Sequence, residues 1–132
     1  MTVARGSCLC KAVTYEVELP FERFMYCHCT RCRKATGSPH AANGFVKPEA
    51  FRWLTGENLV KRYDLPEARS FSTAICTRCN SPVPRPTRNR EQIIVPSGTL
   101  DDEPPGGPTA HRQWGSRVSW AAIDESHLPC SD

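Results

Sequence analysis

The stretch Cys8-Leu-Cys-Lys-Ala-Val-Thr-Tyr-Glu-Val-Glu-Leu19 joins the two features that decide how this chain folds. From Ala12 to Leu19 apolar and polar residues alternate, with Val13, Tyr15, Val17 and Leu19 on one face. Period two is the signature of a half-buried β-strand. Directly before it stand Cys8 and Cys10, one residue apart. On an extended chain both side chains point to the same face. A disulfide between them would be strained, because bridge geometry is specific. Two thiolates on one face instead suit two corners of a tetrahedron, whose sulfurs sit roughly 3.7 Å apart when Zn–S is near ~2.3 Å.

Further short runs rich in β-branched or aromatic residues predict strands at 41–46, 50–53, 58–63, 70–76, 92–96 and 116–123. Turn signals at Leu54-Thr-Gly-Glu57 and Asp64-Leu-Pro66 separate some of them. One short helix is expected at 29–36, ended by Gly37. Twelve prolines and eight glycines leave little room for longer helices. Residues 101–109 read as a loop. The expected fold is all-β, with short strands, long loops and little helix, in a single domain over 1–132.

The chain has 132 residues, 39% hydrophobic and 23% charged, which describes a soluble globular protein. No apolar run approaches the ~20 residues that span a bilayer. Met1 to Cys10 has no apolar signal region, so the reducing cytoplasm is the expected location. Eight cysteines there point to metal chemistry, not to disulfides. The formal charge of +3 is too weak to argue for nucleic acid.

The cysteines fall into groups. Cys76-Thr-Arg-Cys79 is a Cys-x-x-Cys turn followed by Asn80, at a position where positive φ is often needed and asparagine tolerates it. A thioredoxin-like role for this pair would need a βαβ setting, which is missing. Cys27-His-Cys-Thr-Arg-Cys32 offers three thiolates within six residues. Three protein ligands with a free fourth position are the pattern of catalytic zinc; four are the pattern of structural zinc. His28, extended between two ligands, faces away from them. Spacing alone leaves the pairing open: Cys76 and Cys79 could join Cys8 and Cys10, or Cys27 and Cys29. Cys130 reads as an incidental thiol. His40, His111 and His127 are isolated in sequence and read as surface or hydrogen-bonded residues. Trp53, Trp114 and Trp120 read as core or edge packing.

Basic residues crowd the cysteines. Arg31, Arg33 and Lys34 surround Cys32, where they could offset thiolate charge and hold substrate carboxylates. Arg85, Arg88 and Arg90, near Pro82, Pro84 and Pro86, read as an exposed basic loop.

Together, Gly6-Ser-Cys-Leu-Cys-Lys-Ala-Val-Thr-Tyr15, Cys27-His-Cys-Thr-Arg-Cys-Arg-Lys-Ala-Thr-Gly-Ser38 and Cys76-Thr-Arg-Cys79 resemble the glutathione-dependent formaldehyde-activating enzyme family, which also contains centromere protein V. Gly98-Thr-Leu-Asp-Asp102, His111 and Ser119-Trp120 fit its C-terminal pattern, so the resemblance covers nearly the whole chain. It implies a zinc fold of the β-tent type. It also implies a division of ligands: Cys8, Cys10, Cys76 and Cys79 for a structural zinc, and Cys27, Cys29 and Cys32 for a catalytic one. Lys11, and Asn80 after Cys-x-x-Cys, depart from the family's usual glycines.

The resemblance implies a carbon–sulfur lyase that joins glutathione, or another small thiol, to formaldehyde or a related electrophile, giving S-hydroxymethylglutathione. A thiol on the open metal position would be deprotonated outright. Three thiolates on Zn²⁺ leave a net −1, and a fourth makes −2, a poor Lewis acid but a nucleophilic sulfur. The alternative is a non-catalytic zinc module that binds a protein or nucleic acid. Among partners, the reading favours a small thiol and a small aldehyde, with no membrane.

Overall fold

A computed structural model describes residues 2–122 and 124–132. Its strands, in chain order, are β1 (Thr2–Ser7), β2 (Thr14–Leu19), β3 (Arg23–Cys27), β4 (Ala41–Val46), β5 (Phe51–Thr55), β6 (Val60–Asp64), β7 (Ser72–Cys76), β8 (Arg85–Pro86), β9 (Ile93–Pro96) and β10 (Ala110–Arg112). The single α-helix among the described residues, α1, covers Thr30–Thr36. The all-β expectation holds.

The strands form three sheets: β1-β2-β5, β10-β3-β4-β9-β8 and β6-β7. Pairing is antiparallel throughout, except that β10 lies parallel to β3. Val13, Tyr15, Val17 and Leu19 are all buried, as their alternation requires. Tyr15, Val17 and Leu19 pack with Ala4, Val46, Ile93 and Val95 into the main core. Val13 instead joins Ala74, Val83, Cys8 and Cys76 in a second cluster, and Trp53 touches both. A group of cysteine ligands is therefore part of the hydrophobic interior.

Four strands, β1, β3, β8 and β10, lie outside the expected ones, and β1 and β10 escape a reading by hydrophobicity altogether. On β1 the outward face carries Val3 and Arg5, while the inward face carries Ala4 and Gly6. The inward residues are small because Tyr15 lies on them: a Cβ on Gly6 would fall 2.2 Å from the Tyr15 ring. The apolar signal is thus inverted on this strand. β10 is exposed along its three residues, and only its pairing to β3 identifies it.

The expected strand at 116–123 does not form. Trp114–Ser116 is a 3-10 turn, the residues from Arg117 to Ala122 are irregular, and Ile123 lies outside the described residues. Trp120, the aromatic residue of that stretch, turns to solvent. Trp114 is 39% exposed and stacks under the Arg117 guanidinium, and Trp120 is 72% exposed, so neither belongs to the core.

The basic loop at 85–90 also differs from expectation. Arg85 is half-buried on β8 and donates Nε–H to Ser72 Oγ at 3.1 Å. Arg88 Nη1 donates to the carbonyls of Leu65, Ala68 and Phe71, closing the β6–β7 loop. Only Arg90 of the three is exposed. Arg88 is therefore committed to intramolecular contacts, and Arg85 is engaged through Nε alone.

Candidate metal centres

The first centre is built from two similar turns. After β1, Cys8 N–H donates to Val13 C=O at 3.0 Å and Lys11 N–H donates to Cys8 C=O at 3.0 Å. After β7, Cys76 N–H donates to Ser81 C=O at 3.0 Å and Asn80 N–H donates to Cys76 C=O at 2.7 Å. Lys11 and Asn80 both take left-handed backbone, with φ of 66° and 62°. Leu9 N–H donates to Ser81 Oγ at 3.0 Å and ties one turn to the other.

The turns bring the sulfurs of Cys8, Cys10, Cys76 and Cys79 within 4.8 Å of one another. Cys8 and Cys10 Sγ are 3.7 Å apart, and Cys10 and Cys76 Sγ are 3.9 Å apart. Those separations match the edges of a zinc–thiolate tetrahedron, and none of the cysteines is in a disulfide. Backbone N–H groups of Val13 and Arg78 point at Cys8 Sγ and Cys76 Sγ at 3.3 and 3.4 Å. Contacts to Ser81 hold the Cys79 thiol down at a pKa of about 5, against the small effect of burial. The donor set and its spacing fit a four-coordinate metal ion.

The second centre comes from one segment. β3 delivers Cys27, the chain stays extended through His28, and Cys29 caps α1 by accepting Cys32 N–H on Sγ at 3.2 Å. α1 then carries Cys32 one turn on, back to the same point. Gly37 ends the helix in left-handed conformation and donates to Arg33 C=O at 2.8 Å, as the sequence predicts. The sulfurs of Cys27, Cys29 and Cys32 lie within 4.8 Å of one another, with no fourth protein ligand of the His, Cys, Asp or Glu type among the described residues.

Three thiols so close cannot ionise independently. A hydrogen bond from Cys32 holds Cys27 down to about 5, against burial, with the Arg112 charge assisting. Cys32 is pushed strongly up by that same contact and by burial. A bound cation would relieve this conflict, since metal-bound thiols are deprotonated outright.

His28 is buried and faces away from the sulfurs. Its Nε2 shares a hydrogen bond with His111 Nδ1 at 2.8 Å, while its Nδ1 has no partner among the described residues. His40 packs against Tyr26 and His28, with ring centroids 4.1 and 5.2 Å apart, and Trp114 meets His28 edge-on at 5.1 Å. His40 and His111, isolated in sequence, thus form one cluster with His28. Only tertiary contact unites them, because they come from β3, the start of β4 and β10. They line a cavity of about 150 Å³ on the side of β3 away from the metal cluster.

A second cavity, of about 390 Å³, lies between α1, β4, β7, β8 and the turn at Ser97–Thr99. Cys32 is the one metal-cluster sulfur residue on its wall. Arg31 and Lys34 are exposed on α1, and Arg33, half-buried, donates to Thr30 Oγ1 at 3.3 Å. None of these three lines either cavity. Cys130 is exposed and apart from both clusters. The segment Gly98–Asp102 has a tying role: Thr99 Oγ1 bonds Tyr15 Oη at 2.7 Å, Ser7 Oγ donates to Asp101, and Arg5 N–H donates to Asp102 at 2.8 Å.

The family model for glutathione-dependent formaldehyde-activating enzymes matches residues 3–117. No curated protein sequence matches the chain significantly. Among solved structures, a Rhodobacter sphaeroides protein determined by structural genomics is similar in fold. It has a TM-score of 0.64 and 23% identity, and the match covers 81% of this chain and 98% of that one.

Proposed function

This chain belongs to the glutathione-dependent formaldehyde-activating enzyme family, and from that premise we propose that it is a zinc-dependent carbon–sulfur lyase-type enzyme. Its proposed reaction adds a small thiol, glutathione first among them, to formaldehyde or a related electrophile. The observation that carries this reading is the contrast between the two clusters. One gathers four sulfurs at the edge of the second hydrophobic cluster, with Cys8 and Cys76 buried in it, and the other gathers three beside a cavity. Four ligands close a coordination sphere and three leave a position for substrate.

Cys8, Cys10, Cys76 and Cys79 would hold a structural zinc, and Cys27, Cys29 and Cys32 a catalytic one. The catalytic zinc, when bound, supplies stabilisation of the substrate sulfur as a thiolate at neutral pH. The chain's own residues do the remaining work. Arg112, whose charge acts on Cys27, offsets the negative charge that three sulfurs and an incoming fourth accumulate. Arg31, Arg33 and Lys34 add positive potential along α1 and are proposed to attract the substrate's carboxylates. The cavity beside Cys32 holds the thiol with its sulfur toward the cluster, and orientation is the main contribution to rate.

In the reaction the sulfur lone pair forms a bond to the formaldehyde carbon. The carbonyl π pair moves to oxygen, which takes up a proton as the thiol loses one. The product is S-hydroxymethylglutathione, and no net proton, oxidant or reductant is required. A reducing cytoplasm would keep all eight cysteines free, as they are here. No helix among the described residues is long and apolar enough to cross a membrane. We read residues 1–132 as one such zinc-binding domain.

The test is zinc content per chain together with formaldehyde–glutathione exchange followed by NMR, for wild type and Cys29→Ser. Two zinc ions, with exchange lost in the variant, are expected. Wild-type exchange no faster than in a protein-free control would overturn the reading.

A further inference from the structure

Arg85 occupies an unusual position for a cation. It is half-buried, and its Nε–H is donated to Ser72 Oγ. Among the described residues no carboxylate pairs with it, the ion pairs being Arg5–Glu16, Arg52–Glu16 and Arg62–Asp64. Among the described residues nothing accepts a hydrogen bond from its two terminal nitrogens, and neither is among the fully buried unpartnered atoms. Arg62, which would repel it, is close enough for its charge to be felt. Burying a cation without a counter-ion is costly, so such a group is retained where something else supplies the negative charge.

Arg85 lines the 390 Å³ cavity, where it is the one residue with a permanent charge. The rest of the wall is mostly apolar, with no carboxylate: Ala41, Ala42, Phe71, Ile75, Ser97 and Thr99 among others, with the titratable His40 and Cys32 beside them. The volume falls within the ~300–1,000 Å³ of small-molecule sites, and one fixed polar anchor in an apolar wall is how such sites orient a ligand. Cys32 stands on the same wall, so the anchor and the metal cluster face one space. A guanidinium with two free N–H-bearing nitrogens matches a carboxylate in bidentate fashion.

We propose that Arg85 is the specificity-determining residue of this cavity, and that it selects thiols carrying a carboxylate by pairing with that group while the sulfur reaches toward Cys32. The inference rests on the reading that the substrate thiol enters the open position of the Cys27, Cys29 and Cys32 cluster. It assigns the selective contact to Arg85, and leaves Arg31, Arg33 and Lys34 to supply only general attraction. Small thiols without a carboxylate would then fill the same cavity with no anchor.

The probe is S-methylglutathione, which keeps the carboxylates but has no thiol to ionise, titrated into the zinc-loaded protein and followed by NMR. Wild type is expected to bind it. Arg85→Met should weaken binding at least tenfold, Arg85→Lys severalfold, and Arg90→Met, at an exposed site off the cavity, should leave it unchanged. Zinc content and circular dichroism are recorded for each variant. If Arg85→Met fails to fold, the Arg85→Lys comparison decides, since an ammonium cannot reproduce the planar fork. Binding in Arg85→Lys as tight as wild type would overturn the proposal. So would unchanged binding in a folded Arg85→Met that merely loses zinc, which would make Arg85 a charge balance for Cys32. Wild type that does not bind the probe would overturn it as well. If the probe binds and depends on Arg85 while formaldehyde exchange stays at the protein-free rate, the assigned reaction fails and this inference stands.

Discussion

His28 Nε2 and His111 Nδ1 stand 2.8 Å apart across 83 residues of sequence. With the bond from His28 N–H to Arg112 C=O at 2.9 Å, this contact fastens the end of β3 to β10. The fastened residue lies between two members of the open cysteine cluster, so the spacing of Cys27 and Cys29 depends on a residue from the far end of the fold.

Replacing His111 with Ala leaves a buried imidazole with neither nitrogen paired. Such a loss costs about 1–3 kcal/mol. Urea denaturation should show that loss, and zinc should pass from the second cluster to a chromogenic chelator faster than in wild type. A variant equal to wild type in both would make the contact incidental to the cluster.

The two clusters should respond oppositely to cysteine loss. Cys8 and Cys76 are in the hydrophobic interior, and the binding energy of a structural zinc is roughly 10–16 kcal/mol, comparable with the ~5–15 kcal/mol stability of a whole domain. Cys76→Ser should therefore lose the cooperative fold by circular dichroism. Cys29→Ser should keep it and lose one metal ion. A Cys76→Ser protein as stable as wild type would exclude a structural role for the first centre.

Tyr15 sets a limit at high pH. It is 1% exposed and its hydroxyl contacts Thr99. Burial raises its pKa from 10.0 to about 12, with the Thr99 bond opposing. Between those values the unfolded chain releases the phenolic proton and the folded chain retains it, so stability falls as pH rises. The slope is about 1.4 kcal/mol per pH unit. The stabilisation is fully present below pH 10 and is lost by about 12. Denaturation midpoints measured across this range should decline in wild type and flatten in Tyr15→Phe. Identical slopes would show that another group governs alkaline unfolding.

Lys11 and Asn80 hold left-handed backbone at the two knuckles. That conformation costs an L-residue roughly 1–2 kcal/mol, and less for asparagine, while glycine adopts it freely at an entropic cost of ~0.5–1 kcal/mol. Lys11→Gly should therefore stabilise the zinc-loaded protein by up to about 1 kcal/mol, and Asn80→Gly by less. Thermal unfolding of both variants checks the order. A destabilised Lys11→Gly would mean that the lysine side chain contributes more than the strain it imposes.

Strands and sites differed in how far the sequence revealed them. The β2 face was plain because Tyr15, Val17 and Leu19 meet a core directly, so period two survives in the residue types. β1 was hidden because its inward residues had to be small to fit beneath Tyr15, leaving Val3 outside. The segment 116–122 misled for the opposite reason: its one aromatic residue, Trp120, faces solvent, and none of the described residues pairs with it as a strand. The turn at Gly37 and the positive φ of Asn80 were readable because each follows from a single residue's backbone preference.

The arginines show the same division. Arg85, Arg88 and Arg90 look alike along the chain, among prolines, yet one lines a cavity, one closes a loop and one is exposed. Charge composition carries no information about which of them lacks an acceptor.

By itself the sequence determined the chemistry of the ligands. Cys-x-Cys and Cys-x-x-Cys spacings place sulfurs on one side of a turn whatever the surrounding fold, because the geometry is local. The alternation in β2 likewise assigned a buried face without reference to its partner. Only the tertiary structure decided which cysteine pair meets which, which histidines meet, and that Arg85 faces Cys32 across a cavity. Those relations join segments tens of residues apart. They are set by how sheets pack on one another, and no local preference encodes such distances.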